Sequence, residues 1–276
     1  MSIIPIHFFP IKVIENIDID EKSEWKPMDP LEETSLVIEN REEHQLPYHD
    51  MYKNVNFSLV DKRFNDTRLT LRGDTINPKT LIEQGGFLTS YMKGNTSRGK
   101  KYYMDPDAHR VSSDGTNMIS TTTSMKLIKG YNYGDLFTTK YAYMVVAEGG
   151  FPTKEGQALS GEKEITVAGP IDIKNVVAAR KLKRGDKAFD PEDPILINLE
   201  FISEHKNLLK YIISRFLEPY ETLDISDISD IMEMLHISNH VSNNGFSFKT
   251  RKSVRKTRKS SRRVKKLKSV RKSTYK

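Results

Sequence analysis

No cysteine occurs among the 276 residues. That absence excludes disulfide staples, thiol nucleophiles and cysteine-built zinc sites, and it is compatible with any redox compartment. Long apolar runs are missing too: none reaches the roughly 18 residues of a membrane-crossing helix. The apolar segment Met1 to Val13 is broken by Pro5, His7 and Pro10 and has no basic leader. It predicts an extended strand rather than a secretion signal. The glycine fingerprint G-x-G-x-x-G of dinucleotide-binding α/β folds does not occur. Hydrophobic residues are scarce at 37%, so part of the chain is expected to stay unfolded.

Acidic residues are missing from one region only. Residues 249–276 hold 15 Lys or Arg and no Asp or Glu. Subtracting these from 44 basic and 37 acidic residues leaves 29 and 37 for residues 1–248, so a body of charge −8 carries a tail of +15. The tail repeats Lys-Ser-Val-Arg-Lys at 252–256 and 268–272. Its few apolar residues cannot offset the entropy of ordering so many like charges. A disordered arm is expected, in which Arg251, Lys252, Arg255, Lys256, Arg258, Lys259, Arg262, Arg263, Lys265 and Lys266 meet nucleic acid or another polyanion. A nuclear-localisation signal and an anionic membrane surface are alternative uses of the same charge. With Tyr275 as the one aromatic of residues 249–276, this charged run is not built for base stacking. An intracellular setting, nuclear or associated with nucleic acid, is the matching expectation.

Between Tyr48 and Lys183, short β-rich runs alternate with Gly, Asn and Asp turns. Strands are expected at Arg68–Arg72, Asn117–Thr121, Tyr141–Ala147, Glu162–Val167 and Asn175–Leu182. A helix is expected from Pro78 to Gln84, with Asn77 as its cap and Pro78 at its first position. This pattern is that of an α+β domain with a mostly antiparallel sheet. Apolar spacing of three and four predicts amphipathic helices over 203–217 and 226–237. Four parts follow: an irregular N-terminal extension (1–47), the α+β domain (48–200), a helical extension (201–242) and the basic tail (243–276).

Three strings carry chemistry: Leu71-Arg72-Gly73-Asp74, Ile119-Ser120-Thr121-Thr122 and Gly161-Glu162-Lys163-Glu164-Ile165. An Arg at a strand end presents a planar fork of donors to a phosphate or carboxylate. The Ser-Thr-Thr run offers hydroxyls to neighbours or to a sugar. Carboxylates two apart on a strand point to one face, where one stabilises a cationic, oxocarbenium-like centre and the other takes a proton from an incoming nucleophile. Each string alone is ordinary: a solvated strand, plain β-propensity, a turn. Their order and their spacing of 40 to 50 residues are what single them out.

Other motifs fail on their own terms. Gly94-Asn95-Thr96-Ser97-Arg98-Gly99-Lys100 follows a phosphate-binding loop for seven positions, but the eighth is Lys101 where Ser or Thr must hold magnesium. His236 and His240 are four apart, yet no Glu follows His236 as a metalloprotease needs. No metal site is expected.

Further positions fall in line with the three strings: Pro78, Leu81-Ile82 and Gly86-Phe87 after Arg72-Gly73-Asp74, His109 before Ser120, Tyr141 and Tyr143, then Gly169, Ile171 and Ile173 after Glu164. In this order, over residues 66–184, the chain resembles the Arg–Ser–Glu class of ADP-ribosyltransferases, the fold of the cholera and pertussis toxin catalytic subunits. The resemblance implies a split, mostly antiparallel β-sheet with short helices, and an enzyme that moves ADP-ribose from NAD to an acceptor and releases nicotinamide. NAD is then a substrate, and no metal is needed. Arg72, with Gly73, Asp74, His109, Thr121 and Thr122 around it, would bind NAD. Ser120 would support the glutamate and shape the nicotinamide pocket. Glu164 would bond the ribose 2′-hydroxyl and stabilise charge at the anomeric carbon, and Glu162 would position or deprotonate the acceptor. A Glu at that place implies an arginine acceptor on a protein. A nucleic-acid acceptor, and an inactive transferase fold tethered by the tail, are the alternatives.

Overall fold

The computed structural model describes residues 8–15, 35–46, 60–94, 105–111, 113, 115–131, 139–156, 160–223, 230–231 and 233. The basic tail, His236, His240 and the stretch Asn95 to Lys101 lie outside the described residues. So does the helix expected over 226–237, apart from Asp230, Ile231 and Glu233, which are helical.

In chain order the elements open with strands β1 (Phe8–Ile11), β2 (Val13–Glu15), β3 (Leu36–Asn40) and β4 (Asp66–Asp74). Helix α1 (Pro78–Glu83), strand β5 (Gly86–Phe87), helix α2 (Pro106–Val111) and strand β6 (Met118–Thr122) follow. Next come α3 (Met125–Tyr131), β7 (Tyr141–Glu148), β8 (Phe151–Pro152) and β9 (Glu164–Ala168). The described chain continues with β10 (Ile171–Asp172), β11 (Val176–Lys181), β12 (Ile195–Asn198), α4 (Leu199–Glu204), α5 (Leu209–Ser214) and β13 (Glu221–Leu223).

The fold is α+β, with a nine-stranded sheet ordered β1-β12-β11-β7-β4-β6-β9-β8 and β3 attached to β4. Its pairings are antiparallel. Strand β7 lies at the centre, and its interior residues Ala142–Ala147 are buried on both faces, which is why the run is apolar without alternation. Beyond β7 the sheet splits. Strand β4 pairs with β7 over Thr67–Asp74. On its other edge it pairs with β3 through Leu36↔Leu69 to Asn40↔Asp66, and with β6 only at Leu71↔Thr122. Strands β4 and β6 therefore diverge from one contact, and a cleft opens between them.

One core lies on one face of the sheet, where Leu69, Leu71, Met144 and Ala178 meet Ile128 of α3 and Phe201, Ile202, Ile212 and Ile213 of α4 and α5. The second, on the other face, gathers Leu81, Phe87, Ile119, Tyr143 and Ile171. At α1 the local signals act as expected: the Asn77 side chain accepts from Thr80 N at 2.9 Å and Pro78 occupies the first turn.

Three expectations differ from the structure. The strand expected within Met1 to Val13 is present as β1, but residues 8–15 and 35–40 are not an irregular extension: they supply sheet strands, β1 pairs along its whole length with β12, and Pro10 is tolerated because β1 is an edge strand. The single helix expected over 203–217 is two six-residue helices. Asn198 starts α4 upstream by accepting from Glu200 N and Phe201 N (3.1 and 3.3 Å), and His205, at φ −128° and ψ 50°, breaks it. These helices are core rather than appendage, because Phe201, Ile202, Leu209, Ile212 and Ile213 are buried against the sheet; just beyond them Phe216 O and Glu221 accept from the fully buried Arg180 of β11. Finally, Glu162 is not in a strand; it ends a 3₁₀ turn at Ser160–Glu162, and β9 begins at Glu164.

Candidate active site

At the divergence of β4 and β6 lies an open cleft of about 180 Å³, lined by Arg72, Gly73, Ser120, Thr122, Tyr131, Glu162 and Glu164 among others. Residues from all three strings thus meet in one place. The volume is below the roughly 300–1,000 Å³ of pockets that swallow a drug-sized ligand.

Arg72 crosses the split. Its Nη1 donates to Ser120 O at 2.7 Å and its Nη2 to Asp74 Oδ2 at 2.8 Å. The guanidinium stacks 4.9 Å from the centre of the Phe87 ring, which meets Tyr143 edge-on at 5.1 Å. Two of its five N–H groups are spent on these bonds, and Nε is buried with no partner among the described residues. Asp74 aims Arg72, and its second oxygen accepts from Ile76 N. Gly73 is required by crowding: a Cβ there would lie 2.7 Å from Thr139 Cγ2.

Ser120 is held by His109, which is buried and does not face the cleft. The hydrogen bonds fix the tautomer. Thr116 Oγ1 donates to Ser113 O at 2.9 Å, so it accepts from His109 Nδ1–H at 2.6 Å. Nε2 therefore carries the lone pair and accepts from the Ser120 hydroxyl at 2.9 Å. Burial, and then the charges of Arg72 and Arg110, lower the His109 pKa to about 4, so the ring is neutral at pH 7. Although Ser120 and His109 are paired like a nucleophile and its base, the arrangement cannot work that way. A base must become imidazolium, and here burial between two cations opposes it. His109 is a clamp that leaves the Ser120 oxygen as an acceptor towards the cleft.

The Glu-Lys-Glu string is not an extended pleat. Lys163, at φ 47°, is the one non-glycine residue among those described with positive φ. This left-handed kink is unusual for a side chain that lacks Asn-like local bonding. It is held on both sides: Thr122 Oγ1 donates to Glu162 O at 2.8 Å, and Thr123 N to Lys163 O at 3.3 Å. Glu162 and Glu164 still line the same cleft, but the kink brings them there rather than strand alternation. Thr121, expected at NAD, is buried and donates to Ile165 O at 2.7 Å. Thr121 and Thr122 thus act on the backbone of the Glu-bearing segment.

Two residues of the site were not anticipated from the sequence. Tyr131, at the end of α3, lines the cleft beside Glu162. Burial, then the charge and hydrogen bond of Glu162, push its pKa up to about 12. Its only signal was helical spacing from Leu127 and Ile128. Arg110 follows His109 on α2 and donates through Nη1 to both Thr153 Oγ1 and Glu164 Oε2. No local pattern links positions 54 residues apart. Among the described residues no three His, Asp or Glu side chains are grouped as metal ligands, and no helix is long and apolar enough to cross a membrane.

No protein-family model matches the chain, and no curated protein matches it. Solved structures do. A guanine-specific ADP-ribosyltransferase is similar over 47% of this chain and 75% of its own, at 18% identity and a TM-score of 0.38. A variant of scabin toxin from Streptomyces scabies is similar over 60% of this chain and 95% of its own, at 14% identity and a TM-score of 0.45. Scabin toxin in complex with NADH is similar over 52% and 80%, at 18% identity and a TM-score of 0.41.

Proposed function

We propose that this chain is an ADP-ribosyltransferase that cleaves NAD at the nicotinamide–ribose bond and transfers ADP-ribose to a guanidinium group on a protein. The observation that carries the reading is the cleft itself, where β4 and β6 part and bring Arg72, Ser120, Glu162 and Glu164 together. In this reading the Arg72 fork holds a phosphate oxygen, and the Ser120 oxygen accepts from the nicotinamide amide. As the C–N bond breaks, its electron pair leaves with nicotinamide, and positive charge grows at the anomeric carbon. Glu164 bonds the ribose 2′-hydroxyl and stabilises that charge, an electrostatic role for a preorganised group. The acceptor nitrogen then bonds the anomeric carbon from the opposite side, and Glu162 takes the proton the nitrogen gives up. The carboxylate of Glu162 also attracts a cationic acceptor.

One observation favours a second reading, a nucleic-acid acceptor: the 15 basic residues of 249–276, with no acidic residue among them, would bring the enzyme to a polyanion. Label from ³²P-NAD distinguishes the two. Agmatine and protein arginine take label in the first, and a duplex oligonucleotide in the second. Glu162→Gln is expected to lower transfer to agmatine on the order of 100-fold, the worth of a general base, while slow hydrolysis of NAD by water persists. Equal loss of both reactions would assign Glu162 to NAD binding instead.

A further inference from the structure

We propose that Arg110 is the positioning residue of Glu164: it fixes one carboxylate oxygen from behind so that the other is presented to the ribose. The inference rests on the reading of Glu164 given above and adds a residue that reading does not use.

Both groups are withdrawn from solvent, with side-chain exposures of 2% for Arg110 and 9% for Glu164. Arg110 Nη1 bonds Glu164 Oε2, and the same nitrogen bonds Thr153 Oγ1 next to β8. The other carboxylate oxygen, Oε1, has among the described residues only a long contact of 3.4 Å with Thr166 Oγ1, so it is the oxygen left for a substrate hydroxyl. A carboxylate at such a place without a counter-ion would meet a large desolvation cost and would turn or take up a proton.

The position of Arg110 in the chain strengthens the case. His109 and Arg110 are adjacent on α2, and they reach different strands: His109 holds Ser120 of β6, and Arg110 holds Glu164 of β9. Helix α2 is itself pinned at its start, where Asp105 Oδ1 accepts from Asp107 N at 2.9 Å and Asp105 O from His109 N at 3.0 Å. One short helix therefore sets the spacing between the two groups that would flank the scissile bond. Arg110 is too deeply buried to serve as a mobile plug, and its cation, bonded to the far oxygen, is screened by the carboxylate from the centre where positive charge develops.

The test is a double-mutant cycle on nicotinamide release, with Arg110→Met, Arg110→Lys, Glu164→Gln and Arg110→Met/Glu164→Gln. Arg110→Met is expected to lower kcat by about 10- to 100-fold, as misplacement of a catalytic group does, with KM for NAD changed by no more than about threefold. Arg110→Lys keeps the charge and should recover part of the loss. Once Glu164 is Gln, the Met change should cost little more, because the group it positioned is gone. Additive losses would show that Arg110 serves the fold alone and would overturn the proposal. So would full activity of Arg110→Met. Should Arg110→Met fail to fold, the same cycle is run with Arg110→Lys, and additivity is read there. Absence of nicotinamide release by the unaltered protein would overturn the reaction and this role together, whereas additivity in an active enzyme overturns only the role.

Discussion

His109 makes a prediction whose size and sign follow from its surroundings. In the folded protein its pKa is lowered to about 4, against an ordinary value of 6.5. Between those two pH values the unfolded chain takes up a proton at this ring and the folded protein does not. The stability tied to neutral His109 is therefore fully present above about pH 6.5 and is lost as pH falls towards 4; below that, both states are protonated and no more is lost. At about 1.4 kcal/mol per pH unit, the loss comes to about 3 kcal/mol. Urea denaturation at pH 7 and at pH 4 measures it. With a slope of about 2–3 kcal/mol per molar, the midpoint should fall by about 1 M through this group. Other groups titrate over the same range, so the comparison is with His109→Asn, whose amide can still donate to Thr116 and does not titrate. The difference between the two proteins should appear on acidification with the unaltered protein losing more. Equal losses in both would refute the neutral clamp. An activity limb near pH 6.5 that vanishes in the variant would refute it as well, since it would make His109 a working base.

Two further outcomes are expected. Arg180→Met removes the counter-ion of Glu221, whose side chain is 1% exposed, and should cost about 3–5 kcal/mol in denaturant unfolding, most of it recovered in Arg180→Met/Glu221→Leu. A form ending at Asn244 should lose duplex DNA binding yet keep NAD cleavage, while the full chain binds with a slope near −0.9 in log affinity per phosphate neutralised; a gel shift across salt concentrations, run beside a nicotinamide-release assay, reads both.

What was legible in the sequence was what local physics decides. The strand core of β4, β6, β7 and β11 is visible because those runs are β-branched, aromatic or apolar, and α1 because Asn77 and Pro78 announce its start. The order of Arg72, Ser120 and Glu164 located the cleft. What local physics does not decide stayed hidden. Residues 8–11 read as an extended strand, but their place in the sheet is decided by pairing with β12, and 36–40 become a strand by pairing with β4; nothing near either in the chain marks that partner. The cap at Asn198 is masked by the strand it ends. The kink at Lys163 is imposed from Thr122 and Thr123, about 40 residues away, and it removes Glu162 from the pleat that its spacing suggested. Arg110 has no local signal of its task, which arises only where α2 is laid against β9. Asp74 and His109 bond protein groups beside the cleft, and Thr121 lines it while its hydroxyl is spent on Ile165 O.

In the proposed reaction Glu164 stabilises charge at the anomeric carbon of NAD. Release of nicotinamide from NAD by the purified protein, compared with folded Glu164→Gln, tests it most directly. The amide keeps the shape of the carboxylate and loses its charge, so release should fall on the order of 100- to 1,000-fold with the melting temperature close to that of the unaltered protein. Unchanged release from folded Glu164→Gln would remove Glu164 from the chemistry.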